Sequence, residues 1–144
     1  GKDSGANEVR KGIRRNDIDA VGSRQLAAGI KTLKARRDAG TLAEIVVSHL
    51  GSNGTFSARN FDQMMEILGS ARKVIFINVK VPRPWERTNN AAIAAGVQRN
   101  PSAVLVDWYG ATADHPELFA SDGIHLQPAG AQLYASLLAQ AVGK

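Results

Sequence analysis

Asp122 and His125 stand three residues apart in the run Ser121-Asp122-Gly123-Ile124-His125-Leu126, just ahead of Pro128, a residue suited to the first turn of a helix. On one side of such a loop the carboxylate can accept from Nδ1 of the histidine, fix its tautomer and leave Nε2 free as a base. The same spacing also suits an aspartate that shapes a turn beside a surface histidine. A second run, Gly51-Ser52-Asn53-Gly54, follows the apolar stretch Ile45 to Leu50. Glycine at both ends lets the backbone turn sharply and approach a ligand, while the Asn53 amide can aim an N–H donor at a developing oxyanion. An ordinary Asn-Gly turn is the alternative. The run lacks the Gly-x-x-x-x-Gly-Lys pattern of a nucleotide-binding loop.

The elements that must position these runs alternate along the chain. Ile45 to Leu50, Val74 to Val81 and Ala103 to Trp108 are apolar, β-branched stretches that read as buried strands, and Ile18 to Val21 adds a short one. Helical periodicity marks Leu26, Ile30 and Leu33, then Phe61, Met64, Met65 and Leu68, and finally Leu133, Leu137 and Leu138. Ala91 to Val97 is alanine-rich enough to be helical as well. Strand and helix in alternation imply a three-layer α/β/α fold on a mostly parallel, flavodoxin-like sheet. Ligands of such sheets bind where loops leave the carboxyl ends of the strands. That rule selects Gly22 to Gln25, Gly51 to Thr55, Pro82 to Trp85 and Asp107 to His125.

Composition narrows the chemistry. With 144 residues the chain fits one domain, residues 1–144, able to bury a core. No apolar run approaches the roughly 20 residues of a membrane span. The absence of cysteine excludes disulfides and thiolate chemistry. The net charge of +5 gathers partly at Lys11, Arg14 and Arg15 and at Lys34, Arg36 and Arg37. These clusters suit a solvated face or attraction to an anionic glycan or membrane surface, and without interleaved aromatics they give no support to nucleic-acid binding. The three histidines lack ligand partners at useful spacing, so no metal site is expected. His49 is expected to be a hydrogen-bonded structural residue, His115 an exposed one, and Asp107 an orienter of a loop or helix end. Trp85 and Trp108 are placed to flank an acyl or sugar group, or to pack at strand ends.

Together, in this order and strand context, the two loops resemble the SGNH (GDSL-like) hydrolase superfamily. Val47 to Gly54 (VSHLGSNG), Asn78 to Trp85 (NVKVPRPW), Asp107 to Tyr109 (DWY) and Asp122 to Gly130 (DGIHLQPAG) are similar to the extracytoplasmic SGNH domains attached to acyltransferase-3 membrane proteins. The resemblance covers roughly residues 17 to 142. It implies a catalytic triad of Ser4, Asp122 and His125. The oxyanion hole would draw on Ser4, Asn53 and the Gly22-Ser23-Arg24-Gln25 block, where either the Gly22 or the Ser23 amide can serve. Gly51, Trp85 and Arg24 are the substrate-binding candidates. The start, Gly1-Lys2-Asp3-Ser4-Gly5, departs from the family's Gly-Asp-Ser by an inserted lysine and has no apolar strand before it.

The resemblance therefore implies serine-dependent acyl transfer or ester hydrolysis, a chemistry that requires no metal or diffusible cofactor, with acetyl as the acyl group and a cell-envelope glycan as acceptor, in a periplasmic or cell-surface setting. It also implies that the chain is a fragment of a longer protein, with a membrane-embedded acyltransferase domain as partner. The competing class is an SGNH-fold module that binds a glycan or partner without catalysis. A last expectation concerns the first central strand, which the chain lacks: polypeptide from elsewhere should fill its slot between the first and second strands present.

Overall fold

The computed structural model describes residues 18–22, 26–40, 44–49, 51, 54–69 and 71–143, those up to residue 29 by backbone alone. Four strands, β1 (Ile18–Gly22), β2 (Ile45–His49), β3 (Lys73–Ile77) and β4 (Ala103–Val106), lie in the order β1-β2-β3-β4, and every pairing is parallel. Helices α1 (Leu26–Asp38), α2 (Ala58–Leu68) and α3 (Glu86–Arg99) connect them. After β4 come a short helix α4 (Trp108–Thr112), a 3₁₀ turn at Pro116–Leu118 and the closing helix α5 (Pro128–Gly143).

The slot expected between the first two strands is closed. β1 pairs directly with β2 from Ile18↔Ile45 to Gly22↔His49, so ladder groups that would otherwise lack partners satisfy one another. No strand of the described residues precedes β1.

Strand alternation sends side chains to two cores. Val46, Val74 and Phe76 pack with Leu33 of α1, Phe61 and Met64 of α2 and Ile93 of α3. Ile45, Val47, Ile75, Ile77 and Val106 pack instead with Leu138, Ala141 and Val142 of α5. Three helices thus share one face and α5 takes the other, giving the expected three layers. Gly96 lets α3 close on α2: a Cβ there would lie 2.5 Å from the Phe61 ring, which is itself stacked on Phe76 at 4.3 Å. At the amino end of β3, the buried Lys73 ammonium donates to the carbonyls of Ala141 and Val142 at 2.9 and 3.0 Å, meeting the negative end of α5.

Two strands stop earlier than their apolar runs suggest, and both ends face the site. β3 ends at Ile77 because the amide and carbonyl of Val79 are taken by the Asn90 side chain, each at 2.8 Å, and the Val81 amide donates to Glu86 at 2.7 Å. β4 ends at Val106 because Asp107 caps α4, accepting from the Gly110 amide at 2.9 Å.

Candidate active site

The Asp122–His125 loop is built on a closed frame. Phe119 and Leu126 form an antiparallel bridge, the Ala120 amide donates to the His125 carbonyl at 2.8 Å, and the Gln127 amide donates to the Leu118 carbonyl at 2.9 Å. Gly123 takes a positive φ of +72°, which only glycine adopts without strain, and turns the chain over Pro82. Gly130, in the first turn of α5, lies so close to the Leu118 carbonyl that a Cβ would sit 2.3 Å from its oxygen.

Within that frame the carboxylate works at both oxygens. Oδ1 of Asp122 accepts from the amides of Ile124 and His125 at 2.8 and 3.0 Å, and Oδ2 meets Nδ1 of His125. The hydrogen bond from His125, followed by the two backbone N–H groups, holds the Asp122 carboxyl at about 2, below its ordinary value. An ionised Asp122 can only accept, so Nδ1 of a neutral His125 carries the proton and Nε2 the lone pair. The side chains are 82% and 42% exposed for His125 and Asp122, which leaves the ring open to a reacting hydroxyl.

A buried network ties this loop's neighbours together. Asn78, at the end of β3, donates to Asp107 at 2.8 Å and accepts from the Tyr109 amide at 2.8 Å, locking the ends of β3 and β4. Asn89 of α3 accepts from the Phe56 amide at 2.7 Å and donates to the carbonyls of Gly51 and Gly54 at 2.9 and 2.7 Å. Gly51 and Gly54 have φ of +105° and +151°.

No family model matches the chain. It is 34% identical over 133 residues, 92% of its length, to the O-acetyltransferase OatA of Staphylococcus aureus. To the peptidoglycan O-acetyltransferase OatA of Listeria monocytogenes it is 32% identical over 127 residues, 88% of its length. The chain spans 22% and 20% of the lengths of those two relatives. The C-terminal catalytic domain of Streptococcus pneumoniae OatA superposes with a TM-score of 0.78 at 19% identity, over 97% of this chain and 86% of that one. A protein of Slackia heliotrinireducens described as an SGNH hydrolase gives 0.64 at 21% identity, over 85% and 81%. The chain has the fold of these SGNH hydrolase structures.

Not every expected site residue falls within the described structure. Ser4, Ser23, Arg24 and Asn53 lie outside the described residues. Gly22 ends β1, opposite His49. Trp85 is half-buried at the start of α3. Trp108 packs in the core, edge-on to Phe119 and Tyr134, so it is no wall of the site. His115 is exposed and pairs with Glu117 at 3.1 Å. His49 is the structural histidine expected: its ring stacks on Tyr134, whose hydroxyl reaches Nδ1 at 3.2 Å. Burial pulls the His49 pKa down to about 4 and pushes Tyr134 up to about 12, so the phenol keeps its proton and donates to a neutral ring. Asn78 and Asn89 were not found from the sequence. The one signal for Asn89 was an asparagine pair, Asn89-Asn90, opening an otherwise alanine-rich helix that such residues disfavour.

Proposed function

We propose that this SGNH domain carries out serine-dependent acyl transfer or ester hydrolysis, adding acetyl to, or removing it from, a cell-envelope glycan. The observation that carries this reading is the Asp122–His125 pair, held in one tautomer with an open Nε2. His125 takes the proton of the Ser4 hydroxyl as Oγ attacks the ester carbonyl. Asn53, the Ser4 amide and an amide of Gly22 or Ser23 stabilise the tetrahedral oxyanion. Collapse returns the proton to the leaving alcohol and leaves acyl-Ser4. A sugar hydroxyl, deprotonated by His125, then accepts the acyl group; water in its place gives the free acid. Gly51, Trp85 and Arg24 are the proposed substrate contacts.

Relatives named for O-acetyl transfer, two of them matched above, support the acyl chemistry and favour it over a module that only binds. The words peptidoglycan O-acetyltransferase in one relative's name make peptidoglycan the acceptor class to test, with an extracytoplasmic site of action. The relatives' greater length agrees with residues 1–144 being one domain of a larger protein, in which a membrane acyltransferase part would supply the acyl group.

The parent chain should hydrolyse p-nitrophenyl acetate, and His125→Ala should lower turnover by about 10³-fold or more with thermal unfolding unchanged. Intact-protein mass after a rapid acid quench should show one acetyl group on the parent and none on Ser4→Ala. Retained turnover in His125→Ala, within about 3-fold of the parent, overturns the assignment of the base.

A further inference from the structure

Asn89 is fully buried, with 0% exposure, yet it carries an amide that burial penalises unless every polar atom finds a partner. It spends both kinds of atom on one segment. Nδ2 donates to the carbonyls of Gly51 and Gly54, and Oδ1 accepts from the Phe56 amide, so a single side chain grips the run that contains Asn53 on both flanks. The grip answers a need. Gly51 and Gly54 take positive φ without steric cost but lose more conformational freedom than other residues when fixed, and a Cβ on Gly51 would lie 3.4 Å from Nδ2 of Asn89.

The same end of α3 also fixes the neighbouring loop, through Asn90 on Val79 and Glu86 on Val81. Pro82 of that loop lies beneath Gly123, between Asp122 and His125 in the chain. One helix end therefore references the oxyanion loop and the histidine loop to a common frame.

We propose that Asn89 is a positioning residue for the acyl-transfer reaction, holding the Gly51–Gly54 loop so that Asn53 donates to the oxyanion. This rests on the function proposed above. Because the effect runs through a transition-state contact, it falls on kcat rather than KM, and it vanishes once Asn53 is gone.

The test is steady-state hydrolysis of p-nitrophenyl acetate by the parent, Asn53→Ala, Asn89→Ala and the double variant, with thermal unfolding of each. Asn89→Ala should lower kcat by about 10- to 100-fold with KM within about 3-fold, and by less than about 3-fold when Asn53 is already alanine. Asn89→Ser fits the buried site without adding charge and keeps one hydroxyl that can donate to a single carbonyl. It should lower kcat in the same direction by a smaller factor, again only while Asn53 is present, and it carries the comparison if the alanine variant does not fold. Equal losses in both backgrounds, or lowered thermal stability with kcat intact, would overturn the assignment and make Asn89 structural alone. An inactive parent removes the acyl-transfer reading and this one with it, whereas an active parent with additive losses removes only this one.

Discussion

The Asp122–His125 loop and the asparagine network beneath it solve opposite problems. Asp122 and His125 are exposed and make their decisive bonds within four residues of chain. Asn78 and Asn89 are buried and bond across 29 to 38 residues. The first region is open to water. The second holds geometry, and a buried amide left without a partner costs about 1–3 kcal/mol. Substitutions at Asp122 and at Asn78 should therefore separate activity from stability.

The largest effect is expected at Asp122. Asp122→Asn replaces the acceptor for Nδ1 with a group that can present N–H instead, which disfavours the productive tautomer. Turnover of an acetyl ester should fall by about 10³-fold or more, while the unfolding midpoint in urea stays within the change expected for about 0.5 kcal/mol. A stability loss as large as that of a core substitution would erase the contrast between the two regions. Asp122 ionises with a pKa of about 2, so its orienting role should persist unchanged down to roughly pH 4.

Asn78→Ala should do the reverse. It strands the Tyr109 amide and one side of Asp107, and urea unfolding should show a loss of about 2–3 kcal/mol. Turnover per folded molecule should change by less than about 10-fold, because no bond of the Asp122–His125 loop is touched. A loss of turnover matching that of Asp122→Asn at full stability would place Asn78 in the chemistry instead.

The smallest effect at neutral pH, and the sharpest in its pH signature, belongs to His49. Its folded pKa of about 4 lies below the ordinary 6.5, so the unfolded chain binds the extra proton first as pH falls. The stability contributed by keeping His49 neutral is complete above 6.5 and is lost between 6.5 and about 4. Thermal midpoints measured across that range should fall less steeply in His49→Gln than in the parent. Parallel curves would show that His49 does not titrate on unfolding.

What could be read in advance follows the same division. Asp122, His125 and the alternating strands announce themselves by local pattern: three-residue spacing, β-branched runs and helical periodicity act over short stretches. Asn78 lay inside a run that reads as one long strand through Val81, because the side chains of Asn90 and Glu86 that end the strand arrive from the following helix. Trp108 read as a strand end although Asp107 was expected to orient a loop or helix end: Asp107 caps α4, and Trp108 is the first residue of that helix. The direct pairing of β1 with β2 was missed because the family pattern reserves a place between them, and nothing in either strand's own residues says whether that place is kept.

That pairing has a kinetic consequence. Ile18 pairs with Ile45, Ile45 with Lys73 and Val74 with Ala103, so three nearly equal lengths of chain close the whole sheet. Closure entropy grows only slowly with loop length, and here it is nearly the same for each ladder. Among the described strands each ladder joins residues 27 to 29 apart, so the sheet assembles by non-local pairing of the slow kind, repeated three times at nearly the same cost.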